Sequence, residues 1–358
     1  MPYTAPIHHD VYHVGVVLTP GFSLMAFAST VEPLRGANLV SGKSLYRWTH
    51  LSPDGGVSRS GGGLEVITAA LPTASEAEFD MVVVCGGLGC ESYRNRKLEA
   101  FLRRMVRCNV LVGSVSTASF VLARAGLLDG RRCTVHWDYL ESFREAFPHI
   151  EATSDLFVID NGVFTCAGGT AAMDVMLHFI MQRHGDAFAR AVSDQFIYGT
   201  MRHPTDAQRT ALRLRLGIAD PVVVGAVELM EGAIEAPLKL PELARMVGVS
   251  TRQLERLFRR HLGCTPAQHY IRTRLERARG LLRQTTLSVM EVGLACGFTS
   301  ASHFARAYRS RFKIVPSADR RPDPAAFPGT AFLPARGASR APIDGPAVEG
   351  RASAGNGP

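Results

Sequence analysis

A serine stands where an apolar strand meets a helix in the stretch VLVGSVSTASFVLARAGLL, residues 110–128. The apolar run ends at Val115, Ser116 occupies the turn, and helical spacing begins at Thr117. Several enzyme families present a nucleophile at a strand–turn–helix junction of this kind. A serine hydroxyl attacks only with the help of a base, normally a histidine oriented by a carboxylate. The stretch therefore allows two interpretations of Ser116, as a nucleophile or as a hydrogen-bond donor in a ligand pocket.

The neighbours of Ser116 favour the ligand-binding interpretation. A hydrolase elbow carries glycine two positions before and two positions after its nucleophile, whereas Ser114 and Ala118 stand there. We therefore expect that the protein is not an enzyme. Hydrolysis through Ser116 stays as the alternative.

Composition limits the classes of protein to which the chain can belong. Its 358 residues are 46% hydrophobic, which is enough for two domains with sizeable cores. It has no run of about 18 apolar residues and no secretory-signal pattern at its start. The seven cysteines are scattered without a CxxC pair, as is typical of free thiols in a reducing compartment. We expect a cytoplasmic protein with no membrane span, no metal and no cofactor.

Positive charge is concentrated towards the C-terminus. The formal net charge is +8, and residues 239–313 hold 15 Lys or Arg against four acids. That stretch therefore carries +11, and the rest of the chain carries −3. Such asymmetry indicates a polyanion as the partner of one part of the chain only.

Residues 11–200 alternate short apolar strands with amphipathic helices. Several strands are continuous apolar runs that end in glycine, as expected when helices cover both faces of a sheet. The predicted strands are Tyr12–Leu18, Tyr46–Ser52, Met81–Gly87, Asn109–Val115 and Val163–Gly169. We predict an α/β domain with a mostly parallel sheet here, a helical linker over 201–237 and an all-α domain over 238–320. The tail, 321–358, is rich in Pro, Gly, Ala and Ser and is predicted to be disordered.

The all-α domain begins with a predicted helix-turn-helix. Gly248 breaks one helix, and Ser250 caps a second helix that runs from Thr251 to His261. The second helix has an apolar stripe that leaves its polar side chains projecting outward, namely Arg252, Gln253, Glu255, Arg256 and Arg259. In a helix-turn-helix, such a second helix fits the major groove of DNA.

The same pattern recurs over residues 287–313. Ser288 is a cap, Gly297 marks the turn, and Ser300 begins a second helix. Between the two units, residues 265–284 predict one long helix with Pro266 in its first turn. This helix would hold both units rigidly on one face of a duplex.

The segments RLERARGLL and GFTSASHFARAYRSRF, followed by Pro316 and Ser317, resemble the AraC family of transcription regulators over residues 224–320. In that family, paired recognition helices read two successive major grooves on one side of the DNA. The resemblance implies base or near-base contacts at Arg252, Glu255, Arg256, Ser302, His303 and Arg306. The outward-facing Gln253 completes the predicted DNA-binding set, and the remaining arginines can hold phosphates.

Two residues depart from the family pattern at the end of the domain. Lys313 stands where the family usually has glycine, and Asp319 replaces a customary aromatic residue. We expect these changes to affect the packing of the C-terminal end more than base reading.

The N-terminal half resembles the PfpI-like, class I glutamine-amidotransferase-like fold, which is flavodoxin-like. The segments VVVCGG, GLLDGRRCTVHW and TCAGGTAAMDVML carry the resemblance. Active members have a cysteine at the strand–helix turn, with a glutamate and a histidine nearby. The resemblance places Ser116 at the cysteine position, Glu32 at the glutamate and His136 at the histidine. Together with the AraC-like domain, this combination is similar to the GlxA-type regulators.

The same residues predict a ligand pocket. Gly86 and Gly87 follow a strand, and together with the N–H groups at the start of the Thr117 helix they can hold a carboxylate. Glu32 can face a cation, and aromatic faces attract ammonium groups. The predicted ligand-binding set is Glu32, Gly86, Gly87, Ser116, Thr117, His136 and Trp137. Candidate aromatic walls, each of which can also be ordinary core, are Tyr46, Trp48, Trp137 and Tyr139.

The stretch AFASTVEPLRGANLVSGKSLYRW is similar to GlxA-type regulators that sense amino-acid-derived or quaternary-amine compounds. We therefore predict a ligand-responsive, sequence-specific DNA-binding transcription regulator, an activator of a catabolic operon for a compound of that class. Its expected partners are an operator duplex, RNA polymerase and a second copy bound through the first domain. One alternative is an amidase or hydrolase that uses Ser116 and carries an attached DNA-binding domain. Another makes the α/β domain a dimerisation scaffold without a pocket.

Overall fold

An eight-stranded sheet forms the centre of the N-terminal half in the computed structural model, which describes residues 11–72, 79–209 and 212–320. The strands are β1 (Tyr12–Leu18), β2 (Tyr46–Ser52), β3 (Asp54–Arg59), β4 (Glu65–Ala70), β5 (Met81–Cys85), β6 (Leu111–Val115), β9 (Phe157–Asp160) and β10 (Val163–Cys166). They lie in the order β3-β4-β2-β1-β5-β6-β10-β9. A separate parallel pair consists of β7 (Arg132–Thr134) and β8 (Glu151–Thr153).

The sheet is parallel from β4 to β10 and antiparallel at its two edges. Parallel pairs join β4 to β2, β2 to β1, β1 to β5, β5 to β6 and β6 to β10. The edge strands β3 and β9 run antiparallel to their neighbours. The predicted mostly parallel α/β fold is therefore confirmed. Both edges escaped the sequence analysis, in part because β3 has no buried residue and so lacks an apolar pattern.

Helices cover both faces of the sheet. One face packs against α1 (Leu24–Ser41), α5 (Ala171–His184) and α6 (Asp186–Gln195), and the other against α2 (Arg96–Arg107), α3 (Ser119–Arg124) and α4 (Leu140–Ala146). Side chains alternate between the faces of a strand. In β5, Met81, Val83 and Cys85 accordingly enter one core, while Val82 and Val84 enter the other. This two-sided burial explains the uninterrupted apolar run MVVVC.

A buried carboxylate fixes the chain that leaves α6. Asp174 in α5 has a fully buried side chain. It accepts hydrogen bonds from the Tyr198 hydroxyl at 3.0 Å and from the backbone N–H of Arg202 at 2.8 Å. The Arg202 guanidinium adds an ion pair at 2.7 Å. These contacts hold residues 198–202 against α5.

Two helices follow this segment, α7 (Leu212–Leu216) and α8 (Pro221–Gly232). Both lie within the range 201–237 that we predicted as a linker. The inner face of α8, which includes Val223 and Val227, packs into one core with Leu254 and Phe258. This helix therefore contributes to the core of the first helix-turn-helix unit.

Five helices complete the described chain. They are α9 (Leu240–Met246), α10 (Thr251–Leu262), α11 (Pro266–Gln284), α12 (Val289–Ala295) and α13 (Ala301–Phe312). The side chains of Ser250 and Ser300 accept the N-cap hydrogen bonds of α10 and α13, and Thr265 and Ser288 form capping boxes with Gln268 and Glu291. The expected all-α domain with two helix-turn-helix units is confirmed.

The two departures from the family pattern have definite places in the structure. Lys313 ends α13 in the left-handed conformation, with φ +61°, which is the backbone geometry that glycine adopts most readily. Asp319 is buried and accepts hydrogen bonds from Arg279, Arg283 and Tyr308. A charged network therefore closes the C-terminal end, where the family has an aromatic side chain.

Within the three described ranges, no helix is both long enough and apolar enough to span a bilayer. The tail that we predicted to be disordered, 321–358, lies outside the described residues.

Candidate nucleic-acid interface and ligand cleft

The first candidate reading helix is α10. Its inner residues Leu254 and Phe258 are fully buried, which turns the opposite face outward. The predicted contact residues Arg252, Gln253 and Arg256 are all exposed on that outer face. Glu255 is half-buried, and its carboxylate lies 3.5 Å from the Arg259 guanidinium one turn further along. This ion pair orients Glu255 along the helix surface.

The second candidate reading helix, α13, is held in the same way. Phe304 and Tyr308 are buried, while Ser302, His303 and Arg306 are exposed. The His303 ring packs edge-on against Phe298, with 5.7 Å between the ring centroids. Each unit therefore presents one helix with hydrogen-bonding side chains on an open face.

Three arginines of α11 pack against the second unit and the C-terminal end of the domain. The Arg274 Nε donates to the Cys296 carbonyl at 2.7 Å, and its guanidinium lies 4.1 Å from the centre of the Phe298 ring. Arg279 and Arg283 both pair with Asp319. These three guanidinium groups join α11 to the rest of the domain, and the expectation that the remaining arginines hold phosphates stays a prediction.

The turn after β6 has the geometry of a reactive turn. Ser116 is 7% exposed and has φ +65°, a conformation that costs a residue other than glycine about 1–3 kcal/mol. Gly168 packs against it so closely that a Cβ at Gly168 would lie 2.6 Å from the Ser116 Cα. The Thr117 hydroxyl donates to the Gly87 carbonyl at 2.6 Å. These contacts fix the strained turn in place.

The base and the carboxylate of a catalytic triad are not assembled around Ser116. Its link to His136 is between backbones, where the His136 N–H donates to the Ser116 carbonyl at 3.4 Å. The His136 Nδ1 accepts from the Asp138 N–H, and burial lowers the pKa of His136 although the charge of Asp138 opposes the shift. Glu32, predicted to stand nearby, instead pairs with Arg35 at 2.6 Å. In the described chain, no hydrogen bond joins the Ser116 hydroxyl to either side chain.

The predicted carboxylate site is also weaker than the sequence indicated. The Gly86 N–H already donates to the Val115 carbonyl at 3.2 Å. A Cβ at Gly87 would lie 1.9 Å from the Gly21 carbonyl oxygen, so glycine is needed there for close packing of two backbones. Ser116 begins a single turn of 3₁₀-helix, Ser116–Ala118, and the α3 that follows has only six residues. A helix this short gives a smaller positive dipole than the predicted longer one.

The four candidate aromatic walls separate into two groups. Tyr46 is at the amino end of β2, whereas Ser116 follows the carboxyl end of β6. Because these strands are parallel, the two residues lie at opposite ends of the strands. Trp48 lies further along β2 and packs against the core. Trp137 and Tyr139 directly follow His136, and Tyr139 is buried whereas Trp137 is 40% exposed. Only this second pair lies beside the Ser116 turn.

A cavity of about 1370 Å³ lies among the amino ends of the parallel strands, at the end of the sheet away from the Ser116 turn. Tyr46, Leu111 and Arg183 are among its lining residues, and the Tyr46 hydroxyl bonds to the His184 Nε2 at 3.0 Å. None of the seven predicted ligand-binding residues lines this cavity.

Comparison with known proteins accounts for both halves of the chain. Residues 13–182 match the DJ-1/PfpI family, and residues 243–322 match a helix-turn-helix domain. The HTH-type transcriptional regulator GbdR of Pseudomonas aeruginosa is 44% identical over 327 residues, which cover 91% of this chain and 89% of GbdR. The regulator CdhR of the same species is 46% identical over 307 residues, with 85% and 90% covered. The regulator GlxA of Rhizobium meliloti is 40% identical over 312 residues, with 87% and 96% covered.

The chain belongs to the GlxA-type transcription regulators of the AraC family. This GlxA-type regulator therefore combines a DJ-1/PfpI domain with a DNA-binding helix-turn-helix domain.

Several residues beside the candidate ligand cleft escaped the sequence analysis because their neighbours are distant in sequence. The guanidinium of Arg209 lies 4.3 Å from the centre of the Trp137 ring. The adjoining Gln208 amide bonds to the carbonyls of Val135 and Asp155. No local pattern predicts such contacts. The nearest available signal was the polar sequence DAQR in a segment predicted to be linker.

A half-buried acid with one buried oxygen is the second feature that was missed. The Glu91 Oε2 is buried without a hydrogen-bond partner in the described residues, and burial raises the pKa of Glu91. Arg124 bonds to the carbonyls of Cys90, Glu91 and Tyr93 and so shapes this loop. The negative charge of Glu91 also contributes to a raised pKa at Tyr139, although burial of that ring is the larger cause. Glu91 and Asp138, and not Glu32, are therefore the carboxylates whose charge acts on Tyr139.

Proposed function

We propose that this regulator reads a specific operator with α10 and α13 in two successive major grooves and activates transcription when its α/β domain binds an effector. The observation that carries the proposal is the pair of open helix faces, joined by the single helix α11. Arg256 and Arg306 stand in the middle of these faces, where a guanidinium can pair bidentately with guanine. The other predicted contacts, Arg252, Gln253, Glu255, Ser302 and His303, have the reach for adjacent bases or sugar–phosphate groups.

Removing both central arginines tests the reading helices. We expect Arg256→Ala and Arg306→Ala each to weaken binding to the operator duplex by about 1–3 kcal/mol and to relax the base preference locally. Arg96→Ala is the matched control, because it removes one exposed positive charge from α2 in the other half. Fluorescence anisotropy at several salt concentrations measures the effect. If the double variant keeps wild-type affinity, the assignment of the reading helices is wrong.

We propose an amino-acid-derived or quaternary-amine effector for the α/β domain. The support is the resemblance to regulators that sense such compounds, together with the place of His136, Trp137 and Tyr139 beside the Ser116 turn. Gly87, Thr117 and Ser116 complete the proposed cleft, whereas Glu32 is neutralised by Arg35. Calorimetric titration with glycine betaine, carnitine, sarcosine and arginine is the test, and no heat with any of them would retire this effector class.

The hydrolase alternative makes a different prediction. An amidase or hydrolase would lose turnover in Ser116→Ala, whereas a binding cleft has no turnover to lose. We favour binding, since no base is aligned on the Ser116 hydroxyl in the described structure.

We further propose that the regulator acts in the cytoplasm as a homodimer that contacts RNA polymerase. Light scattering of the full chain measures the oligomeric state.

A further inference from the structure

The segment from His136 to the end of α4 touches both halves of the molecule. At its start, the His136 N–H donates to the Ser116 carbonyl. Its aromatic residues Trp137 and Tyr139 follow at once in a single 3₁₀ turn. We call residues 136–146 the bridging segment. It forms one side of the proposed effector cleft.

Two arginines from the C-terminal side of the chain rest on this bridging segment. Arg277 of α11 donates to the Glu141 carboxylate at 2.5 Å, in a pair whose side chains are 24% and 33% exposed. Arg209 covers the Trp137 ring, with 4.3 Å from its guanidinium carbon to the ring centre. The bridging segment is therefore contacted by α11 of the DNA-binding half through Arg277, and by the chain that precedes α7 through Arg209.

The Arg209 contact is the weaker of the two attachments. Arg209 forms no ion pair and no hydrogen bond with the described residues, and its side chain is largely exposed. Neighbouring Gln208 is fixed by bonds to Val135 and Asp155. The backbone therefore holds Arg209 close to the ring, while the guanidinium itself is attracted by the aromatic face and by the negative charges of Glu231 and Asp138.

Trp137 can present this face to one cation at a time. A guanidinium and an ammonium are attracted to it by the same ring quadrupole. A cationic effector that binds against this face must therefore displace Arg209 first. Because an internal occupant reduces the fraction of competent sites, it lowers the apparent affinity of the effector.

We propose that Arg209 is an internal, displaceable occupant of the effector site, and that its displacement from Trp137 is the event that reports effector binding to the DNA-binding half. This inference rests on the proposed function, since it needs a cationic effector in this cleft. Arg209 leads towards α7 and α8, and α8 lies in the core of the first helix-turn-helix unit. Displacement therefore acts on the chain that precedes α7 and α8, and both helices share a core with the first reading helix.

The test compares Arg209→Ala with Arg213→Ala, an exposed arginine of α7 that likewise removes one positive charge. The chain has two tryptophans, Trp48 and Trp137. Both variants are therefore made in full-length protein that carries Trp48→Phe, so that Trp137 is the one remaining tryptophan. We expect Arg209→Ala alone to change the Trp137 emission and its quenching by acrylamide. We also expect Arg209→Ala to bind glycine betaine about two- to fivefold more tightly, because one exposed cation–π competitor is gone. Arg209→Lys should behave like the parent.

The outcomes separate this inference from the proposed function. If glycine betaine binds the parent protein and both alanine variants equally, the displacement proposal is overturned while the effector proposal stands. If neither the parent nor Arg209→Ala binds glycine betaine, carnitine, sarcosine or arginine, the effector class fails and the displacement proposal fails with it. Tighter binding in Arg209→Ala, together with a smaller effect of glycine betaine on operator affinity, supports the proposal, since coupling between two binding sites is reciprocal.

Discussion

At the scale of single residues, Ser116 and Lys313 both occupy the left-handed region of backbone space. A residue other than glycine stays in such a conformation when packing and hydrogen bonds around it prevent it from relaxing. At Ser116, the packing of Gly168 and the hydrogen bond of Thr117 provide that restraint at a turn inside the proposed cleft. Lys313 ends α13 on the surface, where no comparable packing restrains its left-handed conformation.

Replacing this lysine by glycine should stabilise the DNA-binding half. Lys313→Gly removes a left-handed penalty of about 1–2 kcal/mol and adds unfolded-state freedom of about 0.5–1 kcal/mol, so we expect a net gain of about 0.5–1 kcal/mol. Lys313→Ala is the control, because it removes the same side chain and charge but keeps the Cβ that makes φ +61° costly. Denaturant unfolding followed by circular dichroism measures the difference, and equal effects of the two substitutions would contradict this reason.

At the scale of elements, α11 is the long helix that joins the two helix-turn-helix units. Asp319 fixes the C-terminal end of α11. Its side chain is 5% exposed and bonds to Arg279, Arg283 and Tyr308. Burial by itself would raise the pKa of Asp319, but the hydrogen bonds from Arg283 and Tyr308 and the two positive charges outweigh it and hold the pKa below its usual value. The carboxylate is therefore charged when the domain is folded.

This network gives a pH-dependent prediction. Asp319→Asn should lower the free energy of unfolding at pH 7 by about 1.5–3 kcal/mol, as expected for hydrogen bonds to a charged group. A depressed folded-state pKa stabilises the protein above the unfolded pKa of about 3.9, and this contribution disappears as the pH falls through the lower folded value. The difference between wild type and variant should therefore be constant from pH 7 to 5 and shrink below about pH 4. A difference that stays constant down to pH 3 would contradict the network.

The sequence predicted those elements whose signals are local. Ser250, Ser288 and Ser300 mark helix starts because a cap is formed within three residues, and the apolar strands are visible because two-sided burial leaves no polar position. Partners distant in sequence were not visible. Glu32 was predicted to stand beside Ser116, yet its carboxylate pairs with Arg35, one helical turn further along α1. Arg209 meets Trp137 only because the chain folds back across more than seventy residues.

At the scale of the whole molecule, the chain brings a DNA-binding half and a DJ-1/PfpI half into direct contact. The pair of Arg277 and Glu141 joins α11 to α4, and α11 in turn carries both helix-turn-helix units. A change in the cleft can therefore reach the reading helices through this contact as well as through the segment that contains Arg209. The proposed coupling between effector and operator binding would use these two contacts.

The structure of the full chain on its operator duplex tests the central claim most directly. The account predicts that α10 and α13 lie in successive major grooves on one side of the duplex, with Arg256 and Arg306 on base edges and α11 spanning the phosphates between them. A complex in which either helix lies outside a groove, or touches phosphates alone, would contradict it.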